Sequence, residues 1–369
     1  PFMNILISPD SLKGSLTAQK ASLIIKEALL AVSPQACVKT LPLSDGGEGA
    51  LEIWSSLGLG SKVEVPSMDP IGREITAEYF KFNDGTAWIE LSQASGLVLL
   101  EEGERNPVNT STFGTGILIR HALKHGAEKI TLGLGGSATN DGGAGLLAAL
   151  GFDLHDIHGA SIYPSGGNLD QIVKIVPPYI PNVEIVVACD VNNPLCGPDG
   201  ASVVYGPQKG ATPEMVHKLD ANLKHWSQLL ERSFGVSVSE IPGAGAAGGA
   251  GVALLAAYDA ELKPGFDLIA AVVGLEEALE WADVVITAEG ILDDQSFSGK
   301  ATVSLCQKAK KLNCKTLVFA GTVEGQHDKF SAAGVDKAIQ IRPQGMTVEE
   351  SMKKAGELLK LAVQKTFMT

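Results

Sequence analysis

The stretch Gly133-Leu134-Gly135-Gly136-Ser137-Ala138-Thr139-Asn140-Asp141-Gly142-Gly143-Ala144-Gly145 constrains the fold most. Six of its thirteen residues are glycine, and only Leu134 is large. The apolar Ile130-Thr131-Leu132 precedes it and Leu146-Leu147-Ala148-Ala149-Leu150 follows. This reads as a strand, a loop of bare backbone and a helix start. Backbone N–H groups and the helix dipole favour an anion at such a point. Each glycine costs about 0.5–1 kcal/mol in regular structure, so several together point to a ligand that needs room.

The chain has 369 residues, a length that suits two domains. Net charge −13 and pI 5.0 argue against nucleic acid and anionic membranes as partners. The five cysteines, Cys37, Cys189, Cys196, Cys306 and Cys314, are odd in number and lack a CxxC pair, the pattern of reduced thiols. His121 and His125 have zinc-type spacing but no third ligand in register, so they read as a surface pair. The longest apolar run, 252–258, falls short of the ~20 residues of a membrane span. No signal-peptide pattern is visible, and the expectation is a cytoplasmic enzyme, monomer or homodimer.

Apolar strands are expected at 4–8, 37–41, 283–287, 316–320 and 338–341. Helices are expected from about 17 to 32 and over 299–312, 326–333 and 347–366. Alternation of this kind makes a doubly wound parallel sheet. Between these ends the pattern changes. Alternating strands 75–80 and 86–91 flank Asn83-Asp84-Gly85, a hairpin signal. Further strands are expected at 63–65, 127–134, 184–189 and 201–205, with helices near 111–125, 139–150, 213–233 and 244–258. The fold class is therefore α/β: a doubly wound, flavodoxin/Rossmann-like domain from residues 1–60 and 270–369, with a mixed α/β domain (61–269) inserted.

Six loops combine glycine with carboxylates, hydroxyls and lysine: 9–15, 44–49, 133–145, 188–197, 206–210 and 288–296. Most follow an expected strand, where α/β sheets bind ligands. Phosphoryl transfer needs this inventory: lysine or backbone N–H on phosphate oxygens, carboxylates for Mg²⁺, and a base at the acceptor hydroxyl. Catalytic candidates are Asp190, Asp45, Lys13 and Lys209. Nucleotide phosphates are expected against Gly135, Gly136, Ser137 and Asn140 or against Gly243, Gly245 and Gly248. Asp10, Ser11, Asn192 and Glu289 are candidates for substrate binding, and Asp190, Asp45 and Asp141 for metal. No Walker A motif is present: Ala301 follows Gly299-Lys300, and Asp294 stands where the first glycine belongs. Residues 243–248 match GxGxxG, but the polar lead-in 236–242 ends in Pro242, unlike a buried strand. Close packing of a small-residue helix is the plainer reading of that match.

At these loops the chain resembles the bacterial glycerate kinase family. The resemblance rests on 8–16, 44–49, 132–145, 188–198, 205–211, 243–249 and 289–300. Leu12, Ala288 and Ile291 stand where the family commonly has Phe, Gly and Arg. The resemblance implies ATP, Mg²⁺ and D-glycerate, two α/β domains with the active site in a cleft between them, and 2-phosphoglycerate as product. Transfer to the 3-hydroxyl, giving 3-phosphoglycerate, is the alternative within the reaction. An NAD-dependent hydroxy-acid dehydrogenase and an anion-binding sensor are the alternatives outside it.

Overall fold

The computed structural model describes residues 3–12, 14–44, 46, 49–293 and 301–368. They form two compact units, residues 1–45 with 266–369 and residues 46–265. The strands among the described residues are numbered β1 to β13 in chain order.

The first unit is built on β1 (Asn4–Ile7), β2 (Cys37–Thr40), β11 (Val284–Leu292), β12 (Lys315–Val323) and β13 (Lys337–Gln340). All pairings are parallel and the order is β13-β12-β11-β1-β2. Counted within the unit this is 2-1-3-4-5, the flavodoxin-type order, whose switch point lies between β1 and β11. Side chains alternate across the sheet. Ile5, Ile7 and Phe319 join Ile25, Leu29, Leu359 and Val363 in one core, while Val318, Ala320 and Leu292 join Val303, Cys306 and Phe330 in another. Helix Ala18–Val32 starts at Thr17, whose Oγ1 accepts from Lys20 N at 3.2 Å. The C-terminal helix expected over 347–366 is two helices, Val348–Lys353 and Ala355–Phe367, parted at Lys354.

In the second unit β3 (Gly60–Met68), β4 (Glu74–Phe82) and β5 (Ala87–Glu90) run antiparallel. The turn is the expected one: Gly85 sits at φ +87° and Thr86 N donates to Asp84 Oδ1 at 2.9 Å. Then β5, β6 (Lys129–Gly133), β9 (Glu184–Ala188) and β10 (Glu261–Lys263) continue in parallel. β7 (Asp153–His155) and β8 (Lys174–Val176) form a separate hairpin.

Residues 201–205 are a helix, not the expected strand. Its Ala201 and Ser202 are buried, and Ser202 Oγ accepts from Asn140 Nδ2 at 3.0 Å, so tertiary packing overrides the β-propensity of Val203-Val204-Tyr205. The helix expected from 139 begins only at Ala144, and that expected from 244 is a short 3₁₀ turn (Ala246–Gly249) followed by Val252–Tyr258. Helix Ala50–Ser56 groups with the second unit, where Trp54 meets Trp88 edge-on at 5.5 Å. Residues 46–60 therefore lie in the second unit and 266–269 in the first.

Candidate active site

Because β5, β6, β9 and β10 are parallel, their C-terminal ends open on one edge of the second unit. Three of the six sequence loops, 133–145, 188–197 and 206–210, meet there with residues 243–249. Gly142 N donates to Gly248 O at 3.1 Å, and Gly245 N to Asn193 O at 2.9 Å. Lys209 Nζ donates to Ser137 Oγ (2.8 Å) and Thr139 O (2.7 Å). Trp226 Nε1 closes the other side on Gly142 O at 2.9 Å.

Contact between backbones explains most of the glycines. A methyl at Gly248 would overlap the Thr139 carbonyl, and one at Gly245 the Pro194 carbonyl. At Gly243 it would press on Cys189 Sγ and Val191 O, both at 3.1 Å. These three glycines let one loop pack closely on another. Residues 236–242 form no strand, so the dinucleotide-binding context is missing. Gly135 is half-buried and Gly136 exposed, so both remain accessible to a ligand.

Asp141 is fully buried. Its carboxylate accepts from Thr112 N (2.7 Å), Thr112 Oγ1 (2.9 Å), Gly143 N (3.2 Å) and Gly145 N (3.2 Å). Burial pushes its acid up from the ordinary range while these four donors pull it down. Its four protein donors tie the 141–145 turn to Thr112. Lys209 is 1% exposed; burial lowers its ammonium to about 7, with Asp141 pulling the other way. Its two hydrogen bonds anchor the 137–139 loop. Asn140 is likewise fully buried.

Asp190 follows β9 and is half-buried, and Asn192 is exposed. Both lie just past the C-terminal end of β9. The neighbouring Cys189 thiol is pushed up to about 11 by burial, which suits packing rather than nucleophilic attack. Lys13 and Asp45 lie outside the described residues.

In the first unit, the loop after β1 stays bonded to β11: Ser8 N donates to Ile286 O at 2.8 Å and Asp10 N to Ala288 O at 3.0 Å. Asp10, Ser11 and Glu289 thereby line one cavity of about 310 Å³ at the switch point, together with Thr322, Glu324 and Arg342. Arg342 Nη1 donates to Met346 O at 3.1 Å.

The glycerate kinase family model matches residues 5–369. The chain is 41% identical over 365 residues to a glycerate kinase of Halalkalibacterium halodurans, covering 98% of this chain and 96% of that one. It is 39% identical over 358 residues to glycerate 2-kinase of Escherichia coli K12, covering 96% and 94%. Among solved structures it superposes on one described as glycerate kinase 2 from Salmonella typhimurium LT2 (TM-score 0.84, 39% identity, 100% and 98% coverage). The chain belongs to the glycerate kinase family.

As a family member it is a phosphotransferase with an alcohol acceptor, and the dehydrogenase and sensor alternatives fall away. No helix among the described residues is long and apolar enough to cross a membrane. Two features of this glycerate kinase family member escaped sequence reading. Glu90, at the end of β5, is 1% exposed and accepts from Ala50 N (2.7 Å) and Leu51 N (3.4 Å) at the start of helix Ala50–Ser56. Burial raises its carboxyl to about 7 against these bonds. Its signal was an acid closing the apolar run Ala87-Trp88-Ile89. Thr322, Glu324 and Arg342 were missed, and only their place at or just past the expected strands 316–320 and 338–341 marked them.

Proposed function

We propose that this chain transfers the γ-phosphoryl group of ATP to the 2-hydroxyl of D-glycerate, giving 2-phosphoglycerate. The observation that carries the reading is full-length similarity to glycerate kinases, including one named glycerate 2-kinase. Asp190 is the proposed base: a half-buried carboxylate at a parallel strand end accepts the hydroxyl proton as the loose transition state collapses. Asn192, exposed on the same loop, orients the acceptor. Gly135 and Gly136 offer accessible backbone to phosphate oxygens.

Mg²⁺ borne by a nucleotide needs only one or two protein carboxylates. Asp190 meets that donor chemistry and Asp141, saturated by Thr112, Gly143 and Gly145, does not. When bound, the ion offsets charge on the phosphate oxygens.

A ³¹P NMR time course with ATP, Mg²⁺ and D-glycerate tests the reaction. A new phosphomonoester signal split by one proton is the expected result; splitting by two protons would move transfer to the 3-hydroxyl. Asp190→Asn should lower kcat about 10²–10⁴-fold with an unchanged melting temperature. An unaltered rate would remove Asp190 from the role.

A further inference from the structure

We propose that Arg105 binds an oxyanion of the reactants, a phosphate of the donor or the carboxylate of the acceptor, through its guanidinium fork. The inference rests on the reading of the reaction as phosphoryl transfer to D-glycerate, and adds to it a cation that no sequence motif marked.

Residues 91–112 connect β5 to helix Phe113–Lys124. They leave the sheet at its C-terminal edge, where parallel strands bind ligands. This connection runs along the glycine-rich loop. Leu97 N donates to Gly136 O at 2.7 Å, and Ala138 N to Ser95 O at 2.9 Å. Thr110 Oγ1 donates to Ala138 O at 3.0 Å. Arg105 itself lies against the 206–210 loop. A methyl on Gly210 would overlap the Arg105 carbonyl and stand 3.1 Å from its Cβ. The residue before Gly210 is Lys209, which ties that loop to Ser137 and Thr139.

Arginine is seldom buried unless it is paired. Arg105 is half-buried, and its Nε is buried with no hydrogen-bond partner. Among the described residues its guanidinium has no ion pair. Acids are not scarce, since the chain has 42 against 29 lysines and arginines. The adjacent Glu104 is taken by another arginine: Arg73 Nη1 and Nη2 donate to its two oxygens at 2.7 and 3.3 Å. Arg73 also donates to Asp69 and, at 3.0 Å, to Leu99 O. That is how this segment holds a structural arginine, and Arg105 has none of it. An unmet buried donor costs stability, and a ligand that accepts from it removes the cost. A guanidinium stays charged and its fork matches carboxylate and phosphate oxygens alike. Both reactants carry such a group.

The test uses the full chain. It compares wild type with Arg105→Met, which keeps the alkyl stem without the charge, and Arg105→Lys, which keeps the charge without the fork. Titrations with D-glycerate alone and with ATP and Mg²⁺ alone give the two Kd values. Arg105→Met should weaken one reactant about 10–100-fold and leave the other within about threefold. Its melting temperature should fall by no more than about 2 °C, because no protein partner is lost. Weaker ATP assigns Arg105 to a donor phosphate; weaker D-glycerate assigns it to the acceptor carboxylate. Arg105→Lys should weaken the same reactant about three- to tenfold. Unchanged Kd values for both reactants in a folded Arg105→Met would overturn the proposal. Should Arg105→Met not fold, wild-type Kd values for both reactants in Arg105→Lys would overturn it. If wild type transfers no phosphate to D-glycerate, the kinase reading fails. Binding of inorganic tripolyphosphate that Arg105→Met weakens about tenfold would still assign an oxyanion to Arg105.

Discussion

Along the strand ends of residues 46–265, backbone meets backbone and two charged groups are sealed: Asp141 is 0% exposed and Lys209 1%. Along the strand ends of residues 1–45 and 266–369, glycine is sparse, apolar side chains stand open, and a cavity of about 310 Å³ remains. Both edges follow from parallel strands, yet one uses its glycines to let loops touch and the other leaves space. A glycine-rich loop is therefore ambiguous in sequence. It signals close approach of something, and in the second unit much of that something is another part of the same chain.

The largest effect that would break this contrast concerns Asp141. Replacing it by Ala strands the N–H groups of Thr112, Gly143 and Gly145 and the Thr112 hydroxyl in a buried site. Asp141→Ala should cost about 3–5 kcal/mol in urea unfolding. A loss below about 1 kcal/mol would mean that the loop is not held as described.

Lys209 and Glu90 sharpen the contrast through pH. The ammonium of Lys209 falls from 10.5 to about 7 in the folded chain. The unfolded state therefore binds its proton more tightly, and stability from this group rises as pH goes from 7 to 10.5. The slope is bounded by about 1.4 kcal/mol per pH unit. Wild type should gain about 2 kcal/mol between pH 7 and 9 relative to Lys209→Met, measured as paired unfolding curves. Parallel pH profiles would show that Lys209 is not sealed.

Glu90 works in the opposite sense. Its carboxyl rises from 4.5 to about 7 on folding, so its contribution is complete below 4.5 and is lost as pH climbs to about 7. Glu90→Gln should match wild type at pH 4 and exceed it by about 1–2 kcal/mol at pH 8, since the amide still accepts from Ala50 N without a buried charge. Greater loss at pH 8 than at pH 4 would mean that the ionised form holds the helix start.

How far sequence carried the fold depended on burial on both faces. β1, β11 and β12 are apolar runs because helices cover each side, and the alternating order of the first unit could be read from them. The hairpin of β4 and β5 was legible because Asn83-Asp84-Gly85 names its own turn. Residues 201–205 misled, since Val203-Val204-Tyr205 carries β-propensity and only the contact of Ser202 with Asn140, 62 positions away, reveals a helix. The site was legible as a set of loops and not as a set of roles. Asp141 and Asp190 look alike in sequence, each in a loop that follows an expected strand. What separates them is four donors converging on one and a half-open strand end for the other. No local pattern encodes that difference, because Thr112 comes from 29 positions upstream.

The smallest expected effect completes the comparison. Val348, exposed on the rim of the first unit's cavity, holds no buried polar group in place. Val348→Ala should therefore change stability by no more than about 0.5 kcal/mol, against several for Asp141→Ala on the other edge. Equal sensitivity of the two edges in unfolding curves would mean that the cavity wall is part of the packing, and the distinction between a closed edge and an open one would fail.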